Sequence, residues 1–109
     1  MARTPMSAEL TELVAERFKA LADPARVRLL SAMRDGERTV TELVDETGLT
    51  QANTSKHLGR LHQLGFVTRR REGLHIYYHL ADRDVLKLCD LMCGRIEAEA
   101  RVRRRMFPQ

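Results

Sequence analysis

At Gly65 the apolar residues of this chain stop recurring at helical spacing and begin to alternate, and that change of period limits the fold more than any other feature. Downstream, Phe66 to Arg71 leads through a turn at Glu72-Gly73 into Leu74-His75-Ile76-Tyr77-Tyr78-His79-Leu80, with apolar or aromatic residues at positions 74, 76, 78 and 80. Residues 66–80 therefore read as a β-hairpin. Two short capped helices precede it. Thr39-Val40-Thr41-Glu42 has the form of a capping box and opens a helix ending near Gly48. Thr50 caps the next helix, which runs to Leu64 with Leu58, Leu61 and Leu64 toward a core and Gln51, Asn53, Thr54, Lys56, His57 and Arg60 on its other sides. Gly65 supplies a left-handed stop.

Helices flank this unit. Ser7 caps a first helix, about 7–21, whose Leu10, Leu13, Val14, Phe18 and Leu21 recur at three- and four-residue intervals. Asp23-Pro24 opens another through Val27, Leu29, Leu30 and Met33, ended by Gly36. Asp82 caps a last helix, about 82–104, with an apolar stripe of Val85, Leu88, Cys89, Met92 and Ile96 and an end rich in arginine at Arg101, Arg103, Arg104 and Arg105. The expected fold is mainly α with a β-hairpin wing: one domain over 1–109, five helices and two strands. With 109 residues, 5% aromatics and no Trp, its core is modest and gains from burial against a second subunit.

Two short helices joined by a Gly-containing turn and followed by a basic hairpin have the order of a winged helix-turn-helix, here about 39–64 with the wing at 66–80. The net charge is +4, and between residues 50 and 75 Lys56, Arg60, Arg69, Arg70 and Arg71 stand against Glu72 alone. That field suits double-stranded DNA. Hydrogen-bonding residues near the start of the fourth helix suit base edges, and three arginines beside Gly73 suit phosphates or a minor groove. The expected DNA contacts are Thr50, Gln51, Asn53, Thr54, Ser55, Lys56, His57, Arg60, Arg69, Arg70, Arg71 and Gly73. Ser55 also reads as a packing residue and His57 as a plain surface histidine. No glycine-rich phosphate loop, His-Glu-x-x-His or nucleophile-base pairing points to an enzyme. A protein-interaction module is the competing class, and it predicts an apolar or acidic face where this chain is basic. The absence of a signal-peptide core or membrane-length apolar run makes the cytoplasm the expected location.

Three segments together carry a resemblance. Phe18-Lys19-Ala20-Leu21-Ala22-Asp23-Pro24-Ala25-Arg26, Leu49-Thr50-Gln51-Ala52-Asn53-Thr54-Ser55-Lys56-His57-Leu58, and Arg70-Arg71-Glu72-Gly73 with Tyr77-Tyr78 resemble the arsenic-repressor (ArsR/SmtB) family of bacterial winged-helix regulators over about Phe18 to Ile96. The resemblance implies a homodimer paired through its first and last helices, bound to an imperfect palindrome near a promoter, usually as a repressor released by an inducer. Under it, Gln51, Ser55 and His57 match reading-helix positions, and Arg70, Arg71 and Gly73 match the wing. Two metal sites frequent in the family have no counterpart. The third helix carries Glu42-Leu43-Val44-Asp45-Glu46 in place of a Cys-x-Cys pattern, and on the last helix Asp82 matches one zinc position while Asp84, Arg95 and Ala98 occupy the others.

Cys89 and Cys93 remain, one turn apart on the last helix with Met92 between them and Gly94 following. Three readings stay open. They are small interface hydrophobes, or thiols through which oxidation or reactive sulfur shifts the dimer between DNA-binding geometries, or a soft-ligand pair for As(III), Cd(II) or Cu(I). A spacing of four in a helix strains a direct bridge between them.

Overall fold

The computed structural model describes residues 5–108. Local capping chemistry sets most helix starts. The Leu10 N–H donates to Ser7 Oγ at 3.1 Å to open α1 (Ala8–Leu21). The Asp23 carboxylate accepts from Ala25 and Arg26 at 2.8 and 3.3 Å, with Pro24 at the first position of α2 (Pro24–Ala32). At α3 (Val40–Thr47) the capping box closes both ways: Glu42 N–H to Thr39 Oγ1 at 3.2 Å, and Thr39 N–H to Glu42 Oε1 at 2.9 Å. Gly48 then turns the chain at φ +74°, a left-handed conformation that favours glycine, and Thr50 accepts from Asn53 N–H at 3.1 Å to start α4 (Gln51–Gln63).

The hairpin of β2 (Val67–Glu72) and β3 (His75–Leu80) pairs antiparallel in unbroken register from Val67 opposite Leu80 to Glu72 opposite His75. The expected turn shifts by one residue. Because Glu72 still pairs with His75, the two-residue turn is Gly73-Leu74, with Gly73 at φ +61°. Leu74 is 100% exposed at the tip, so its place in the apolar alternation reflects sequence and not burial. The expectation of two strands is also corrected. Arg38–Thr39 forms a third, β1, on the far side of β3, with Arg38 opposite Tyr78 and Thr39 opposite Tyr77. Two residues carry no period from which a strand could be read.

The last helix, α5 (Asp84–Met106), begins later than expected. Asp82 accepts the Asp84 N–H at 2.8 Å, while Arg83 holds the cap position without a side-chain bond. Likewise α2 closes at Ala32 with Met33 as its cap, ahead of Gly36.

One core joins Leu29, Leu30 and Met33 of α2, Leu43 of α3, Leu58 and Leu61 of α4, Val67, Tyr78 and Leu80 of the wing, and Val85 and Leu86 of α5. This core holds the helix-turn-helix and wing as one body. Helix α1 buries only Ala20, and Leu13 and Phe18 remain 54% and 55% exposed. Among the described residues, no helix is long and apolar enough to cross a membrane.

Candidate nucleic-acid interface

Helix α4 is pinned from one side. Thr54, Leu58 and Leu61, spaced four and three apart, are fully buried, the opposite side carries exposed Ala52, Ser55, Lys56 and Gly59, and Gln51, in line with Leu58, is exposed because it stands at the helix start. The wing borders the start of this face: Gln51 lines a shallow cleft with Thr39, Val40 and Thr41 of the α3 start and Leu74, His75 and Ile76 of the wing. Asn53 is also exposed.

Thr54 is a correction to the expected contact set. It is 0% exposed, and its hydroxyl donates to the Thr50 carbonyl at 2.8 Å, so it packs the core side of α4 and has no surface to offer a ligand. Thr50 is exposed, with its hydroxyl accepting the cap bond from Asn53. His57 is half-buried, and Arg26 Nε donates to its Nδ1 at 3.2 Å. Arg26 Nη1 also donates to the Ala20 carbonyl at 3.2 Å, tying the end of α1 to the middle of α4. Arg60 bonds Gln63 at 3.1 Å and lies 3.6 Å from Glu16 of α1.

The three wing arginines do not act as one group. Strand alternation puts Arg69 and Arg71 on one face, opposite Tyr78 and Ile76, and Arg70 on the other, opposite Tyr77. Among the described residues neither Arg69 nor Arg71 has a carboxylate within ion-pair distance, and both are exposed. Arg70 is engaged throughout. Its Nε and Nη2 fork onto Glu37, with Nε to Oε2 at 3.0 Å, its Nη1 donates to Glu72 at 2.7 Å, and its guanidinium lies 4.6 Å over the Tyr77 ring. The hydrogen bond from Arg70 holds the Glu37 carboxyl below its usual range, and Glu37 and then Glu72 raise the Arg70 guanidinium in turn.

Cys93 is exposed and Cys89 half-buried, both as free thiols. Burial, then Cys93 and Asp90, push the Cys89 thiol up, while Arg34 works against them. Arg34, beyond α2, forms a bidentate pair with Asp90 of α5 at 2.8 and 3.3 Å, next to Cys89. No group of three His, Cys, Asp or Glu among the described residues is placed to hold a metal ion.

Sequence reasoning did not find Ala52, Arg26, Glu37 or Arg34. For Ala52 the signal was present, because helical spacing puts it about half a turn from Leu61 and about a third of a turn from Leu58. Arg26, Glu37 and Arg34 act on partners more than thirty positions away, at His57, Arg70 and Asp90, and no local pattern marks them.

Comparison with known proteins fits this geometry. The profile "Bacterial regulatory protein, arsR family" matches residues 23–69, from the cap of α2 into β2. The chain is 41% identical to the HTH-type transcriptional regulator Rv0081 of Mycobacterium tuberculosis over 83 residues, 75% of this chain and 73% of the relative. The crystal structure of Rv0081 matches with a TM-score of 0.79 at 36% identity, covering 89% of this chain and 98% of that one. A homodimeric winged helix-turn-helix DNA-binding domain from Mycobacterium bovis, solved in solution, matches with a TM-score of 0.74 at 33% identity over 89% and 90% of the two chains. A Streptomyces lividans protein named "Probable mercury resistance operon repressor" is 40% identical over 77 residues, 71% of this chain but only 62% of the relative. With a three-stranded winged helix-turn-helix, the matched profile and relatives of this identity and coverage, the chain belongs to the ArsR family of bacterial regulatory proteins.

Proposed function

We propose that the protein is a homodimeric DNA-binding repressor that occupies an imperfect palindromic operator and is released when an inducer reacts at Cys89 and Cys93. The observation that carries the DNA reading is the outward face of α4, with Gln51, Ala52, Ser55 and Lys56 exposed beside the wing. Gln51 and Asn53 have the donor and acceptor pair that suits adenine, Ser55 suits several base edges, Ala52 offers a methyl to thymine, and Lys56 suits guanine or phosphate. Arg69 and Arg71 supply charge for flanking phosphates, where affinity is electrostatic and falls with salt.

Exposed apolar residues support the homodimer. Leu10, Leu13 and Phe18 of α1 and Leu88, Met92 and Ile96 of α5 are large apolar side chains left 44–62% exposed along two helices, the kind of surface that a partner covers. Pairing two copies through them covers both helices and sets two α4 helices about 34 Å apart, one turn of duplex. That the M. bovis neighbour is homodimeric supports the pairing of two copies.

The inducer reading rests on two free thiols on the helix that supplies this interface. Oxidation by a small disulfide or persulfide removes two electrons and two protons from a pair of thiols, joins them as S–S and reduces the donor to its thiols or to thiol and sulfide. A bend in α5 at that point reaches the DNA-binding body through Arg34 and Asp90. A second reading, soft-cation capture by the same thiols, is favoured by the name of the S. lividans relative.

Fluorescence anisotropy on the upstream promoter fragment tests all of this. Reduced protein should bind tightly. Release by a persulfide donor, abolished by Cys89→Ser and Cys93→Ser, supports the redox reading, and release by Hg(II), As(III), Cd(II) or Cu(I) under reducing conditions supports the second. Binding that ignores every treatment would leave the cysteines as packing residues.

A further inference from the structure

We infer that Arg70 is the anchor of the wing and not one of its phosphate contacts, and that Glu37 is the residue that positions it. This rests on the DNA-binding reading above. Arg70 lies on the strand face turned away from Arg69 and Arg71, so one duplex surface does not meet all three in the same way. Three of its five N–H donors go to Glu37 and Glu72, one from each nitrogen, and its π-face rests on Tyr77. A phosphate finds only the two remaining donors, flanked by two carboxylates. The cluster Glu37, Arg70 and Glu72 also carries two negative charges against one positive, so its local field repels phosphate where that of Arg69 and Arg71 attracts it.

The same contacts give Arg70 another role. Glu37 precedes β1 on the helix-turn-helix side, whereas Glu72 sits beside the wing turn. By bonding both, Arg70 ties the outer half of the hairpin to the body and fixes the angle at which Arg69 and Arg71 are presented. Isolated surface ion pairs contribute little, but a bidentate pair joined to a second carboxylate and stacked on an aromatic ring is the geometry in which they count. Glu37 is a positioning residue in this arrangement, acting on DNA only through Arg70.

The test is anisotropy with an operator duplex across a salt series for the wild type, Arg71→Gln, Arg70→Gln, Glu37→Gln and the reciprocal pair Glu37→Arg with Arg70→Glu. Arg71→Gln should reduce the slope of log affinity against log salt by about one. Arg70→Gln and Glu37→Gln should leave that slope unchanged while weakening binding by about threefold to tenfold at every salt concentration, as expected for a modest ion-pair network. The reciprocal pair should recover part of the loss, since it restores the 37–70 bond but not those to Glu72 and Tyr77, and a direct Arg70 contact cannot do even this because a carboxylate on the wing strand would repel phosphate. If Arg70→Gln lowers the slope as much as Arg71→Gln, or Glu37→Gln tightens binding, Arg70 is a phosphate ligand that Glu37 withholds and the anchor role is wrong. If wild-type binding is absent or insensitive to salt and Arg71→Gln changes nothing, the DNA reading itself fails, a result separable from the first.

Discussion

Arg26 and His57 stand 31 residues apart in sequence and meet at 3.2 Å, Nε to Nδ1, while a second nitrogen of the same guanidinium holds the Ala20 carbonyl. One side chain thus joins the end of α1, whose exposed face is proposed to dimerise, to α4, whose exposed face is proposed to read bases. Removing either partner breaks the same bond. Arg26→Ala should cost about 1 to 2 kcal/mol, since two hydrogen bonds are lost, and His57→Ala about 1 kcal/mol. The double variant should cost less than the sum, because the shared bond is counted in both single changes. Urea unfolding of the four proteins checks this, and strict additivity would show that the pair is not coupled.

On α4 the residues proposed to read bases are exposed and those that pack are buried. Gln51→Ala removes an exposed amide and should alter which base is preferred at one operator position, with discrimination falling by about 1 to 3 kcal/mol. Thr54→Val keeps the buried shape and removes a hydroxyl whose acceptor, the Thr50 carbonyl, still receives the Thr54 backbone N–H at 2.9 Å. Its stability should change by no more than about 1 kcal/mol and its base preference not at all. Binding to a panel of single-base operator variants distinguishes the two; an altered preference in Thr54→Val would contradict its burial.

What the sequence reveals and what it hides follow from range. Ser7, Asp23, Thr39, Glu42 and Thr50 announce helix starts because a cap bonds within three residues, and the alternation after Gly65 announces the wing for the same reason. Thr54 misleads because threonine fits a polar surface and a buried helix position equally well, although its spacing of four and seven from Leu58 and Leu61 already puts it on the core side of α4. Arg70 looks like its neighbours Arg69 and Arg71 in sequence. Its difference comes from Glu37, 33 residues earlier, and from a strand register that a run of three arginines does not reveal.

Charge placed in the proposed dimer face should separate the subunits. Met92 is 62% exposed in the single chain, so Met92→Glu need not disturb the core. In a homodimer it sets an unpaired carboxylate against apolar residues, at a cost of several kcal/mol for two symmetric copies. The expected outcome is a monomer by light scattering, folded by circular dichroism, with duplex affinity greatly reduced. A dimer of unchanged affinity would exclude this part of α5 from the interface.

Acid should loosen the protein through its depressed carboxylates, Glu42 and Asp90 together with Asp23 and Glu37. The Thr39 backbone N–H, with its hydroxyl, holds the Glu42 carboxyl below its ordinary 4.5, and the hydrogen bond from Arg34 holds that of Asp90 below 3.8. A carboxyl depressed by folding contributes its stability fully above the unfolded value and loses it as pH falls through the folded one. The loss therefore begins below about pH 5 and leaves neutral and alkaline stability untouched. Glu42→Gln and Asp90→Asn should each flatten the acid limb of a melting-temperature profile, and an unchanged limb in both would mean that other groups drive acid unfolding.

The two thiols should differ in reactivity. A disulfide reagent attacks through the thiolate, so rate follows both access and thiolate fraction. Cys93 is exposed, whereas Cys89 is half-buried with its thiol pushed above 9.0, first by burial and then by Cys93 and Asp90. Cys93 should therefore form the mixed disulfide first, and Cys89 should follow slowly at neutral pH. Stopped-flow absorbance with an aromatic disulfide should give a fast phase that Cys93→Ser removes and Cys89→Ser preserves. Raising the pH should accelerate the slow phase. If Cys89 reacts first, local opening of α5 governs its chemistry, and in that case breaking the Arg34–Asp90 pair with Asp90→Asn should speed the reaction further.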